Sequence, residues 1–316
     1  MHSTTARTGA KPARKAVGVR LWQQRYLFIL VVPAIIWMLV FNYAPMYGIL
    51  IAFKDYNIGK GITMSSWAGL KHFAEIVNDP YFFNALRNTL LYSFINLIIG
   101  FPIPIIFALL LNELNRFLPY KKFVQTVSYL PYFLSWAFVA SYLMSLLSDT
   151  GLVNSLLKAV GLLDSSYSFL GNNFSFIAVM VVTSVWKSFG YGSIIYLAAI
   201  TSIDQTMYEA AIIDGAGRWQ RIWHITLPSI QSTIVILLIM QISGIINSNF
   251  EQFYLLQNPM VKDVARVIDV YTYEMGFEKA RFSYGAAVGL FKSVVSLALL
   301  VSANKISNKL TGDGIM

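Results

Sequence analysis

Apolar and polar positions alternate along this chain in long blocks. Six segments, residues 26–51, 89–111, 123–147, 174–200, 229–250 and 284–303, are almost wholly apolar. Crossing a bilayer takes roughly 20 helical residues, so each segment predicts one membrane span. Pro33, Pro45, Pro102, Pro104 and Pro131 fall inside these blocks. Inside a helix bundle, neighbours satisfy the backbone groups a proline frees, so kinks are expected rather than interruptions. The fold expected is an all-α membrane protein of six transmembrane helices. Residues 26–303 form the membrane domain, 1–25 a basic tail and 304–316 a short second tail.

Composition agrees with this reading. Of 316 residues, 56% are hydrophobic and 12% charged, against about a quarter charged in a soluble domain. The apolar block after the basic tail is too long for a signal-peptide core, and no small-residue cleavage site is evident. There is no cysteine, which excludes disulfides, thiolate catalysis and cysteine metal sites.

The net charge of +9 is accounted for by topology rather than by a nucleic-acid partner. With the first tail inside, the cytoplasmic pieces are 1–25, 112–122, 199–228 and 304–316. They hold thirteen Lys/Arg against five Asp/Glu, while the outer pieces, 53–85, 148–173 and 250–283, hold eight against ten. Lysine and arginine accumulate on the cytoplasmic side of a membrane protein, so both termini are expected in the cytoplasm. The outer pieces suit short interfacial helices, contact with a soluble partner, or simple cover for helix ends.

Chemistry-bearing motifs are few. No Gly-x-x-x-x-Gly-Lys-Ser/Thr loop occurs, so the chain carries no nucleotide-binding loop. The three histidines, His2, His72 and His224, lie in separate segments, giving no support for a metal or hydrolytic site. Lys187 and Lys292 are the two ionisable residues deep in the spans, and such residues are functional candidates by default. No carboxylate lies mid-span, against the habit of ion-coupled carriers. Ser184, Lys187, Ser188 and Tyr191 share one helix face at i, i+3, i+4, i+7. Gln241, Gly244, Ser248 and Gln252, flanked by Asn247 and Asn249, make a second stripe, and Phe133, Trp136 and Ala140 share a face of the third span. Two readings fit: a wet cavity that binds sugar hydroxyls and stacks on sugar faces, or hydrogen bonding between helices. If the first holds, Lys187→Met should change substrate preference. Gly285-x-x-x-Gly289 reads as a close-packing contact.

Between the fourth and fifth blocks, within a loop over 204–228, residues 209–228 form the longest well-mixed polar interval of the second half. Residues 207–213 suit a short helix with Glu209 near its favourable N-terminal end. Asp214-Gly215-Ala216-Gly217 breaks it. Residues 218–226 suit a second helix, with Trp219, Ile222, Trp223 and Ile225 near one side, and Pro228 stands where the next span begins.

This stretch resembles the cytoplasmic coupling loop of binding-protein-dependent ABC importer permeases. The family pattern is Glu-Ala-Ala, three residues, Gly, nine residues, Ile, one residue, Leu-Pro. It falls without a gap on Glu209, Ala210, Ala211, Gly215, Ile225, Leu227 and Pro228. Likeness to the carbohydrate-uptake permeases, in particular their polysaccharide/oligosaccharide (maltose-permease-like) group, extends from about Arg25 to the end. It is carried by Ala44-Pro45-Met46-Tyr47-Gly48, Ala85-Leu86-Arg87-Asn88-Thr89-Leu90 and Val127-Ser128-Tyr129-Leu130-Pro131. Ile203-Asp204 departs from the relatives' usual Ile-Pro. The resemblance implies a type I importer permease core in the bacterial cytoplasmic membrane, and a heterodimer with a second, similar permease. It further implies two cytoplasmic ATPase subunits that hold ATP and Mg²⁺, and an extracytoplasmic solute-binding protein that delivers an oligosaccharide. It places ATPase coupling on Glu209, Ala210, Ala211, Asp214, Gly215, Ala216, Arg218, Ile225, Leu227 and Pro228. The substrate pathway is expected on Phe133, Trp136, Ser184, Lys187, Ser188, Tyr191, Gln241, Ser248 and Asn249. An ABC permease for a phosphate ester or peptide, and an ion-coupled carrier, are the alternatives.

Overall fold

The computed structural model describes residues 25–114 and 118–310. Residues 1–24 of the expected basic tail, Arg116 of the 112–122 loop and residues 311–316 lie outside the described residues. The chain divides into two compact units, Met1–Leu50 and Ile51–Met316. The first contributes a single helix, α1 (Arg25–Met38), which continues as a π-turn at Leu39–Tyr43 and winds more tightly from Ala44. Pro33 sits inside α1 without ending it.

The second unit opens with a two-residue ladder, β1 (Lys54–Asp55) against β2 (Ser66–Trp67), antiparallel, with Lys54 opposite Trp67. Around it stand the short helices α2 (Gly61–Met64) and α3 (Lys71–Val77). The second span begins nine residues earlier than expected. Helix α4 runs Pro80–Ile99, capped by Asp79, whose carboxylate accepts from the Tyr81 N–H at 2.9 Å. The added turns carry two polar residues, Asn84 and Asn88. Both amides donate to the Asp263 carbonyl, and Asn88 also to that of Arg266. Buried polar groups that find partners cost little. Helix α5 (Pro102–Glu113) continues this span.

The expected third span is broken. Helix α6 (Leu118–Tyr129) leads into a tight turn at Leu130–Phe133, Leu134 is extended, and α7 (Trp136–Leu146) departs at 97°. Pro131 removes one backbone donor. Ser135 then caps α7 by accepting from the Phe138 N–H. After α8 (Leu152–Ala159), helix α9 (Asn173–Thr201) crosses the middle of the unit, packed against α4, α5 and α6.

Residues 204–228 fold as α10 (Gln205–Ile213), α11 (Arg218–Arg221), a π-turn at Ile222–Thr226 and α12 (Leu227–Ser229). The fifth span, expected over 229–250, is helical only as α13 (Gln231–Ser243), bent by 63° from the helix before it. Residues 244–249 leave helical geometry, and Phe250 starts the next element, α14 (Phe250–Leu256). Among the described residues, four helices are long and apolar enough to span a membrane, or up to six if each bent pair counts as one.

The segment 250–283 is not a surface cover. With α15 (Lys262–Ala265) and α16 (Ile268–Tyr273) it supplies Val267, Ile268, Val270 and Tyr271, all fully buried. The Tyr271 and Tyr284 hydroxyls meet at 2.8 Å, and both donate to Asp79. The last helix, α17 (Phe282–Leu310), is longer than the expected 284–303. Gly285 packs on Gly276, where a Cβ would stand 2.9 Å from the Gly276 Cα; Gly289 faces open space.

Candidate functional site: a polar cavity and an exposed helix-turn-helix

Helix α4 turns Tyr92, Ser93 and Asn96 toward α9, and α9 turns Ser184 and Ser188 toward α13. Between them lie two cavities that share Asn96 and Ser184 in their walls. The smaller is closed by Asn247, Ser248, Asn249 and Gln252. The larger, about 450 Å³, continues past Gly100, Ser188 and Gly192 to Gln241. The side-chain amides of Asn96, Gln241, Asn247 and Asn249 make no hydrogen bond within the described residues. They can therefore donate and accept toward a ligand. No charged side chain lines either cavity among the described residues.

The expected pathway residues separate into two groups. Ser184, Ser188, Gln241, Ser248 and Asn249 line the cavities. Lys187 and Tyr191, on the same expected stripe, face the break between α6 and α7 instead. Lys187 is only 9% exposed, and its ammonium donates to the Tyr132 carbonyl at 2.7 Å, with the rings of Tyr132 and Trp136 about it at 5.4 and 5.5 Å. Tyr191 stacks on Tyr132 at 3.9 Å. Trp136 is buried against this anchor, while Phe133, on the other side of the break, is 73% exposed. The two therefore do not share the helix face expected of them. Gln241 and Ser248 likewise do not belong to one helical stripe, because α13 stops at Ser243; the loop brings them to adjoining cavities. Asn96, Ser93 and Asn247 complete the walls. Asn88, Tyr92 and Asn96, four residues apart on α4, were the signal for this face.

The helix-turn-helix has its own logic. Asp204 caps α10 by accepting from the Thr206 N–H at 3.0 Å, and that bond holds its carboxyl below the ordinary range. The departure from Ile-Pro thus starts the helix with an acid at its positive end. Glu209 lies a turn further in, exposed, so Asp204 rather than Glu209 supplies the charge at the helix start. At the other end, Ala216 N–H bonds the Ala211 carbonyl and Gly215 N–H that of Ile212. This is the paired closure of a helix whose next residue is left-handed. Gly215 has φ +80°, which glycine adopts without penalty.

The two legs are tied by Tyr208 Oη and Thr226 Oγ1 at 2.9 Å, and Arg218 stands 3.9 Å from Glu113 of α5. Ile222 and Thr226 are buried, and the half-buried Ile225 packs with Tyr208 on the cluster that holds Leu111 and Ile200. Leu227 is half-buried; Ala210, Asp214 and Pro228 are exposed. Trp219 and Trp223 were expected beside Ile222 and Ile225. They lie on the opposite side, 71% and 65% exposed, with Ile213 at 86%.

The chain matches the family model described as binding-protein-dependent transport system inner membrane component over residues 73–312. It is 45% identical over 306 residues to the polygalacturonan/rhamnogalacturonan transport system permease protein of Bacillus subtilis (strain 168), covering 96% of this chain and 94% of that one. A solved bacterial ABC transporter involved in the import of the acidic polysaccharide alginate contains a chain with 38% identity and a TM-score of 0.84, covering 93% of this chain and 99% of that one. The same transporter type in complex with an alginate pentasaccharide-bound periplasmic protein aligns with a TM-score of 0.85 over 95% of this chain and 99% of that one. With three quarters of its length inside the family model and relatives aligned nearly end to end, this chain belongs to the inner membrane components of binding-protein-dependent transport systems, as a multi-pass, non-catalytic ABC importer permease subunit.

Proposed function

We propose that this subunit forms half of the translocation pathway of an oligosaccharide importer, and that its substrates carry uronic acids. The observation that carries the sugar reading is the set of open amides, Asn96, Gln241, Asn247 and Asn249, around the cavities beside α9. Amides and hydroxyls suit the alternating donors and acceptors of a sugar. The uronic-acid reading rests on the relatives named for polygalacturonan/rhamnogalacturonan and alginate. On this reading a second, non-identical permease completes the pathway, two ATPase subunits bind ATP and Mg²⁺, and an extracytoplasmic binding protein delivers the sugar. The helix-turn-helix at residues 205–229 meets one ATPase. Closure of the ATPase pair moves it, and the cavity opens alternately to the two sides.

The test is ATP hydrolysis by the reconstituted complex of both permeases, the ATPase and the binding protein. Neutral and uronic oligosaccharides are compared. Stimulation by uronic oligosaccharides, only with the binding protein present, is the expected result. Stimulation by neutral sugars alone removes the acidic assignment, and no response to any sugar removes the carbohydrate one.

A further inference from the structure

Helix α13 ends at Ser243, and from there to Phe250 the chain must find other partners for its backbone. Gly244 and Ile245 still bond back to residues 240–242, and Asn247 N–H bonds the Gly244 carbonyl. Ser248 bonds to a side chain. Its N–H and its hydroxyl both donate to Asp269 Oδ2, at 2.8 and 2.7 Å. Asp269 lies in the first turn of α16, where the helix dipole favours a carboxylate. Its other oxygen, Oδ1, accepts from the Lys292 ammonium on α17. The two side chains are 21% and 12% exposed.

Neither member of this pair is among the residues lining the two cavities beside α9. An ion pair taken out of water is a weak source of stability, because desolvation offsets most of the attraction. Its best-attested use is to fix one arrangement among several. Here the arrangement is legible. Ile246 is fully buried, Ser248 is held by Asp269, and Gln252 donates to the Met180 carbonyl and Thr183 hydroxyl of α9. Between these pins, Asn247 and Asn249 are exposed, and both stand in the cavity wall.

We infer that Asp269 and Lys292 are positioning residues that set the register of the loop 244–249, and so place the Asn247 and Asn249 amides that select the sugar. This rests on the reading of the cavity as the sugar path. Lys292 fixes the carboxylate, the carboxylate fixes Ser248, and Ser248 fixes the amides on either side of it. The two deep lysines therefore do parallel work: Lys187 anchors the break in the third span, and Lys292, through Asp269, the break in the fifth.

The experiment uses the full reconstituted complex and measures sugar transport and sugar-stimulated ATP hydrolysis with two oligosaccharides that differ in one ring substituent. Lys292→Met is expected to raise the apparent KM on the order of tenfold, since small misplacements of positioning groups have effects of this size or larger. The preference between the two sugars should change, and ATP hydrolysis without binding protein should stay within about twofold of the parent, a margin well below that effect. Ser248→Ala, which keeps the ion pair, should move KM and preference in the same direction. The double variant Asp269→Asn/Lys292→Met retains an oxygen for Ser248 without a lone buried charge, and should lie closer to the parent than Lys292→Met. Asn249→Ala separates the two readings. If it raises KM while Lys292→Met and Ser248→Ala lower only thermal stability, the positioning role is overturned and the pathway stands. If none of these variants alters KM or preference, the pathway reading falls and the inference with it. Should Lys292→Met not assemble, Ser248→Ala and the double variant, both free of a lone buried charge, decide the question.

Discussion

At Gly190 only a hydrogen fits. A Cβ there would stand 2.0 Å from the Ser128 carbonyl oxygen, which is backbone of α6 and has no side-chain freedom to yield. Two residues on, a Cβ at Gly192 would meet Pro104 at 3.5 Å, an ordinary contact. Gly190→Ala is therefore expected to force α6 and α9 apart at a cost of about 1–3 kcal/mol. Gly192→Ala should be close to neutral. Thermal unfolding of the purified complex, followed by loss of its monodisperse species, separates the two; equal midpoints would show that α6 moves freely. The sequence could not rank these glycines, since both sit in the same apolar block and only the crossing of two helices tells them apart. The unpaired amides were similarly hard to see. Gln241 and Asn249 stood out as polar residues in apolar surroundings, but whether an amide is spent on a neighbour or left open depends on the fold. Asn88, on the same face as Asn96, is spent on two carbonyls.

Elements were legible in number and order, and least legible where a partner distant in sequence decides their shape. Pro131 announced a kink; the result is a 97° turn. The difference lies in what waits for the freed backbone. Lys187 of α9 supplies a charged donor to the Tyr132 carbonyl, and Tyr191 supplies a stacking face. With those partners present a full break is tolerated inside a membrane protein. Lys187→Met would leave the Tyr132 carbonyl without this donor, at a cost of about 1–3 kcal/mol. We expect lower thermal stability with the ranking of sugar substrates unchanged, the reverse of what its place on the polar stripe had suggested. A changed ranking, measured by competition transport assays, would return Lys187 to the pathway. The fifth span departs from expectation in the same way. Gln241, Gly244, Ser248 and Gln252 keep helical spacing, yet Asp269, which holds Ser248, comes from a segment that composition had marked only as an outer loop.

For the whole molecule, the distribution of charge and apolar surface points to where a partner would be met. Residues 205–229 expose Ile213, Trp219 and Trp223 beside Glu209 and Asp214, on the side that the lysine and arginine count assigns to the cytoplasm. Two exposed tryptophans on a short helix-turn-helix suit either a protein partner or the membrane interface. Aromatic side chains of this kind dominate the energetics of protein interfaces. The shape of the helix-turn-helix has a definite source in the closure around Gly215, so shape and surface can be tested apart. Gly215→Val meets no neighbouring atom, yet it must hold φ near +80°, a strain of about 1–2 kcal/mol for a residue with a Cβ. Trp219→Asp leaves the turn intact and removes the apolar contact. Both are expected to reduce sugar-stimulated ATP hydrolysis by on the order of tenfold, the equivalent of about 1.4 kcal/mol, while the two permeases still purify together. Only Trp219→Asp should weaken co-purification of the ATPase, because Gly215→Val keeps the contacting side chains and disturbs their geometry. If both variants hydrolyse ATP at the parent rate with sugar present, this helix-turn-helix does not carry the coupling. The exposed tryptophans would then belong to the membrane interface, where such side chains also accumulate.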